Sequence, residues 1–133
     1  MTGALHRFVE HTGELELVVQ APTETGIFEE ALAAFRSIVG VGDGETVRRD
    51  IEVSAPDRES LLVAWLGELV FLAEIEGFVP DRAASLALAE GRLRAAVVGH
   101  FGRPSHLVKA VTLNSLELRE EGGSWHARVV LDV

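Results

Sequence analysis

The spacing of the apolar residues predicts two helices. The first follows Pro22 and Thr23, and its apolar side chains recur at intervals of three and four residues, as one face of an α-helix requires. They are Ile27, Phe28, Ala31, Leu32, Phe35, Ile38 and Val39. Thr23 suits the N-cap position, and Gly40 with the glycines after it ends the pattern.

The second predicted helix follows Asp57, another residue suited to the N-cap position, and it ends near Gly77 and Pro80. Its apolar positions are Leu61, Leu62, Trp65, Leu66, Leu69, Val70, Leu72 and Ala73. Because this stripe covers a wide part of the helix surface, we expect the helix to pack onto a sheet and not to face water.

Alternation of apolar and polar side chains predicts the strands. In residues 14–20, Leu15, Leu17 and Val19 face one way, whereas Glu14 and Glu16 face the other, which is typical of a half-buried strand. The other predicted strands are residues 46–55, 84–89, 93–101, 107–118 and 125–133.

Short turns join the later strands. Glu90-Gly91 and Gly122-Gly123 supply them, because glycine tolerates the positive φ that a tight hairpin needs. The resulting order, β-α-β-α-β-β-β-β, predicts an α+β fold in which two helices pack on a largely antiparallel or mixed sheet.

Size and composition narrow the class of protein. The chain has 133 residues and no repeat, low-complexity tract or long linker, so we expect residues 1–133 to form a single domain. The 21 acidic and 12 basic residues leave a formal net charge of −9, which disfavours direct binding to RNA and to anionic lipid. The absence of cysteine excludes disulfides, thiolate nucleophiles and cysteine-ligated zinc. With neither a signal-peptide pattern nor a membrane-spanning run, a cytoplasmic protein is expected.

The N-terminal segment holds candidate chemistry in His6, His11, Glu14 and Glu16. One interpretation is an ordinary polar loop and solvated strand face. A zinc site made from His6 and His11 lacks a recognised ligand spacing. His11 with Glu14 could form the acid–base pair of a small hydrolase, but no nucleophile motif, phosphate-binding loop or cofactor fingerprint accompanies them.

The C-terminal run VVLDV places Asp132 directly before Val133. An α-carboxylate at Val133 would put two anionic groups close together, which is favourable only when both are solvated or a cation bridges them. A frayed tail in water is the alternative. The apolar alternation that leads to Leu131 argues instead that the end is part of a strand. Lys109, a lone base at the start of a predicted strand, would by itself indicate only solubility.

Taken together, several segments resemble the archease family. The resemblance is carried by FVEHTGE at 8–14, IFEEALAAF at 27–35, SLLVAWLGELVFLAEIEGF at 60–78, VKAVT at 108–112 and WHARVVLDV at 125–133. These segments follow one another in order along nearly the whole chain.

The resemblance implies an accessory protein of RtcB-type, GTP-dependent RNA ligases, which act in tRNA splicing and RNA repair. Such a protein promotes guanylylation and repeated turnover of the ligase and is not an enzyme itself. The resemblance also implies a divalent cation, calcium in the family, held by Glu14, Asp132 and Val133. Lys109 matches the functionally important lysine of the family, and with His11 it is expected to contact the ligase. RNA would be met only indirectly, and the protein would be a monomer or a weak oligomer.

This chain departs from the family pattern at two places. Glu14 stands where archeases often have Asp, and Leu113-Asn114 stands where they often have Tyr-His. Glutamate is still a competent ligand for calcium, although its longer side chain shifts the carboxylate. A metal-independent, chaperone-like module that binds proteins is the alternative from another class.

Overall fold

The computed structural model describes residues 3–104 and 108–133, except for the side chain of Asn114. Its elements are β1 (Leu5–His11), β2 (Glu14–Ala21), α1 (Glu24–Val39), β3 (Thr46–Ser54), α2 (Arg58–Phe71), a π-helical turn (Leu72–Glu76), β4 (Phe78–Ala89), β5 (Arg92–Phe101), β6 (Ala110–Glu121) and β7 (Ser124–Asp132). The predicted α+β class, with two helices and antiparallel strands, is confirmed.

Both helices begin at the predicted caps. The Thr23 hydroxyl accepts a hydrogen bond of 2.9 Å from the Gly26 N–H, and the Asp57 carboxylate accepts one of 2.7 Å from the Ser60 N–H. These bonds satisfy backbone donors that have no partner within the first helical turn. After α2 the chain continues through the π-helical turn to Gly77, which has the left-handed conformation (φ 68°) that glycine adopts without strain.

The strands form two antiparallel sheets. The first sheet has the order β1-β2-β7-β6, and the second has the order β3-β5-β4. The helices lie between them, because α1 contacts β2 on one side and β4 on the other, and α2 contacts β6 and β3. The fold therefore has three layers, and each sheet keeps one outer face.

The middle position of the helices explains their broad apolar stripes. Trp65 and Phe28 are fully buried between the layers, where Leu17 of β2 and Leu93 of β5 pack from the two sheets. None of the described polar or charged residues is fully buried. Burial of each large side chain stabilises the fold by about 1.5–3 kcal/mol, so the helix layer holds both sheets in place.

The structure differs from the predicted element list at two points. Strand β1 was not predicted, because HRFVEH alternates weakly and places its polar residues on both faces. Strand β4 starts at Phe78 and passes through Pro80, although Pro80 had been interpreted as an end signal. Proline is tolerated there because β4 is an edge strand of its sheet. The predicted start of β6 at residue 107 lies outside the described residues.

Neither helix in the described ranges is both long enough and apolar enough to cross a membrane.

Trp65 joins the two helices and is a sensitive test of this packing. Its indole N–H donates a hydrogen bond of 2.9 Å to the Phe28 carbonyl. We predict that Trp65→Phe lowers the free energy of unfolding by about 1–3 kcal/mol, because it removes this bond and leaves part of the site unfilled. Urea unfolding measures the change.

Trp125→Phe is the control, because that ring is only half-buried and its contact with Arg58 survives in phenylalanine. If the two variants lost equal free energy of unfolding, the conclusion that Trp65 joins the two helices would be contradicted.

Asp57 should make the stability depend on pH. The hydrogen bond from the Ser60 backbone N–H holds the pKa of Asp57 below its ordinary value of 3.8. A lowered pKa stabilises the folded state above pH 3.8, and this contribution is lost as the pH falls through the folded pKa. We predict that Asp57→Ala lowers the melting temperature at pH 7, and that the difference from the wild type shrinks below pH 3.8. Thermal scans of the wild type and the variant from pH 7 to below pH 3.8 measure this difference in melting temperature. Asp50→Ala is the control, because it also removes an exposed carboxylate.

Candidate functional site

A row of residues crosses the first sheet at one end. His11 of β1 lies opposite Glu14 of β2, Glu14 lies opposite Asp132 of β7, and Asp132 lies opposite Ala110 of β6. Directly opposed residues in antiparallel strands carry their side chains on the same face, with Cβ atoms about 4.5–5.5 Å apart. The structure therefore brings together Glu14 and Asp132, which stand near opposite ends of the sequence.

The shared face of Glu14 and Asp132 is the outer face of the sheet. Their strand neighbours Leu15 and Leu131 also oppose each other and point to the helix layer, where Leu131 is fully buried. Because side chains alternate along a strand, the two carboxylates must point outward. Glu14 is exposed and Asp132 is half-buried.

Backbone hydrogen bonds hold both sides of Asp132. The Val133 N–H donates to the Gly13 carbonyl at 3.3 Å, and the Lys109 N–H donates to the Asp132 carbonyl at 2.7 Å. Asp132 is thus part of the sheet, in agreement with the expectation from the apolar alternation, and Val133 is bonded to the turn between β1 and β2. The Lys109 side chain is exposed beside this row.

The oxygen donors of this row suit a hard cation but do not complete its coordination shell. Two like charges directly opposed on a sheet destabilise it unless a cation or water separates them. Calcium takes about 6–8 oxygen ligands, and no group of three or more His, Cys, Asp or Glu side chains suited to a metal occurs among the described residues. Glu14, Asp132 and a main-chain oxygen of Val133 would supply part of a shell. The remaining positions would need water or a partner molecule.

Glu16 is committed to other contacts. Its carboxylate lies 3.2 Å from the Arg128 Nε atom and 3.7 Å from the His11 Nε2 atom, and its side chain is largely buried. Glu16 lies on the same outer face as Glu14, two residues further along β2 and therefore further from the end of the sheet. The carboxylate that pairs with His11 is therefore that of Glu16. This weakens the alternative of an acid–base pair made by His11 and Glu14.

His6 cannot join His11 in a zinc site. The two residues are five positions apart on one strand, so their side chains lie on opposite faces of the sheet. His6 lies on the inner face, opposite Val19, and its Nδ1 atom is 2.6 Å from the Glu30 Oε2 atom of α1.

Strand β6 is interrupted beside the row. Thr112 pairs with Val130 and Glu117 pairs with Arg128, so residues 113–116 of β6 stand against Val129 alone. Ser115 has a φ of 55°, the only positive φ of a non-glycine residue in the described chain. The same segment holds Leu113 outward, with 67% of its surface exposed. Such backbone strain often accompanies functional sites.

A second polar cluster joins the three strands of the other sheet. The Thr46 Oγ1 atom lies 3.1 Å from the His100 Nε2 atom, and the His100 Nδ1 atom lies 2.8 Å from the Asp81 Oδ2 atom. The Nδ1 atom is buried, and its direction toward Asp81 is poor for a hydrogen bond.

This order of hydroxyl, imidazole and carboxylate resembles a nucleophilic triad, but the backbone around Thr46 argues against catalysis. The Gly44 N–H donates to the Phe101 carbonyl and the Phe101 N–H donates to the Glu45 carbonyl, so neither can stabilise an oxyanion. We interpret the cluster as a structural link between β3, β4 and β5.

Sequence reasoning missed the contact of Glu16 with Arg128 and the interruption of β6. Alternation places Glu16 and Arg128 on outer strand faces, but only the pairing of β2 with β7 shows that they are neighbours. For Ser115 no residue signal exists, because serine gives no indication of a positive φ.

Known proteins resemble this chain along nearly its whole length. The archease protein family matches residues 6–133. A relative named protein archease from Methanosarcina acetivorans is 36% identical, over 98% of this chain and 97% of its own length. Another from Pyrococcus furiosus is also 36% identical, over 93% of this chain and 95% of its own.

Solved structures share the fold. A protein from Methanobacterium thermoautotrophicum, determined in solution, superposes with a TM-score of 0.71 and 26% identity, covering 96% of this chain and 98% of the other. A crystal structure from Thermotoga maritima, described as an archease and possible chaperone, superposes with a TM-score of 0.72, covering 97% of this chain and 98% of the other. At 18% identity, this second similarity shows the fold alone. The match to residues 6–133 and the 36% identity to curated relatives show that this chain belongs to the archease family.

Proposed function

We propose that this protein is an accessory factor of an RtcB-type RNA ligase in tRNA splicing and RNA repair, acting in the cytoplasm through the acidic row on its first sheet. It stimulates guanylylation and repeated turnover of the ligase and does not join RNA itself. The observation that carries the proposal is the register of β2 against β7, which sets Glu14 directly opposite Asp132 at one end of the first sheet. Membership of the archease family supports it.

The paired carboxylates give the row its chemistry. A bound calcium ion would neutralise Glu14 and Asp132 and would leave coordination positions open to oxygen atoms of the partner. Oxygen ligands of this kind suit hard divalent ions better than soft ones. Glu14 and Asp132 would hold the cation, and Val133 would contribute a main-chain oxygen.

Lys109 and His11 extend the row on its two sides. The Lys109 backbone N–H is bonded to the Asp132 carbonyl, so the residue lies next to Asp132 in the chain fold, and its side chain is exposed. His11 stands opposite Glu14 with 53% of its side chain exposed. In this proposal, both side chains contact the ligase or a phosphate that the ligase holds. The net charge of −9 would speed the approach to a basic cleft, since opposite charges steer association.

Removal of one carboxylate from the row should abolish most of the stimulation. We predict that Asp132→Ala reduces stimulated guanylylation and turnover of the ligase by about tenfold or more, because one partner of a charged contact is lost. The assay uses purified ligase from the same organism with GTP, with and without this protein. Asp50→Ala removes an equally charged, exposed residue of β3 and should stimulate as the wild type does. Full stimulation by Asp132→Ala would count against the proposal.

Calcium should stabilise the protein only when both acids are present. We predict that calcium at about 100 times its dissociation constant raises the free energy of unfolding of the wild type by about 2.7 kcal/mol. Asp132→Asn and Glu14→Gln should lose this effect. In chelator, Asp132→Asn should be no less stable than the wild type, because it removes a repulsion between opposed like charges. Thermal scans and calorimetric titration measure both effects, and equal calcium stabilisation in all three proteins would refute the metal site.

A further inference from the structure

The longer connections of the chain gather at the end of the molecule that carries the acidic row. Strands β1, β5 and β7 run toward this end, and β2, β3, β4 and β6 run away from it. The loop at 40–45, the π-helical turn, residues 102–104 and residues 108–109 therefore lie at this end, called here the row end. The opposite end has the short turns at 90–91 and 122–123.

Backbone contacts tie these connections together. The Gly102 N–H donates to the Gly77 carbonyl at 2.9 Å, which links the loop after β5 to the end of the π-helical turn. Gly42 lies against His100 so closely that a Cβ atom there would come within 2.9 Å of the His100 Cβ. Further along the same loop, Lys109 bonds to Asp132. Within the described residues, the start of this loop is thus tied to the end of the π-helical turn and its last residue to the acids.

Exposed large apolar side chains concentrate at the row end. Within the described residues they are Val41, Phe71, Ile75, Leu113 and Val133, whereas Leu5 alone lies at the start of β1, far from the row. Isolated exposed apolar residues are ordinary on a protein surface, but their concentration at one place indicates a protein contact.

Phe71 and Ile75 form the most prominent pair of this set. They are four positions apart across the junction of α2 with the π-helical turn, so they share one side of the helix, and they are 50% and 65% exposed. The fold does not need them, because Leu69, Leu72 and Ala73 fill the buried side of the same segment. A π-helical turn is itself uncommon and is frequently found at functional sites.

The charges around this pair indicate the kind of partner. Exposed acids at the row end include Glu74, between Phe71 and Ile75, and Asp43 and Glu45 in the neighbouring loop. In the described connecting segments of the row end, the acids Asp43, Glu45, Glu74 and Glu76 outnumber the bases Arg103 and Lys109. A second copy of this acidic chain would be repelled here, whereas a basic surface would be attracted.

We propose that Phe71 and Ile75 are an apolar anchor that seats in an apolar recess, rimmed by basic residues, on the RNA ligase. This inference rests on the proposed function and adds a second contact to it. The anchor supplies affinity and the acidic row supplies the stimulating chemistry. Buried apolar anchors surrounded by weaker polar contacts are the usual source of binding energy at protein interfaces.

The double variant Phe71→Gln with Ile75→Gln tests the anchor. Both positions are exposed and glutamine is a good helix former, so the melting temperature should stay close to that of the wild type. We predict that the variant binds the purified ligase at least about tenfold more weakly, measured by fluorescence anisotropy. At saturating concentration it should restore full guanylylation, whereas Asp132→Ala should not. Leu5→Gln is the control, because it replaces an exposed leucine at the opposite end.

The outcomes separate the anchor from the proposed function. If the double variant binds as the wild type does while Asp132→Ala fails to stimulate, the anchor is refuted and the accessory role remains. If the wild type neither binds nor stimulates the ligase, both ideas fall. If sedimentation shows a dimer of the wild type that the double variant does not form, a second copy covers the pair, and the anchor is again refuted.

Discussion

The pairing of β2 with β7 is the constraint on which the acidic row depends. Alternation along these two strands sends Leu15 and Leu131 to the helix layer and Glu14 and Asp132 to the outside. A shift of one residue on either strand would bury a carboxylate and expose a leucine, so the hydrophobic effect selects the register that also opposes the acids. The energy that holds two like charges together therefore comes from apolar contacts on the other face of the same strands. The site needs no dedicated scaffold.

The helix layer also has two roles, because it forms the core and holds both sheets in place. Each helix is covered on both sides, which explains why apolar residues occupy so much of its circumference and why two separate sheets can be held with few contacts between them. The long connections then gather at the end that carries the acidic row, and the hairpin turns at 90–91 and 122–123 lie at the other, whereas the β1–β2 turn at 12–13 lies beside the row.

Local signals predicted much of this fold and little of the site. The sequence predicted the caps Thr23 and Asp57 and the apolar stripe around Trp65, because the interactions that produce these features act within a few residues. The sequence did not predict strand β1 or the division into two sheets, because both depend on which strands pair with each other. Glu14 and Asp132 were selected by resemblance to a family and not by spacing, since no local rule links the beginning of one strand to the end of another. The exposure of Phe71 and Ile75 was equally hidden, because in the sequence they continue the apolar run of α2.

The interruption in β6 has an evolutionary consequence. Residues 113–116 stand against a single residue of β7, and regular pairing resumes on both sides, from Ala110 to Thr112 and from Glu117 onward. Insertions, deletions or exchanges within this segment would therefore leave Asp132 and the core around Leu118 where they are. The segment is a place where a lineage can change the surface presented next to the acids without refolding the sheet, and in this chain it presents the exposed Leu113 there.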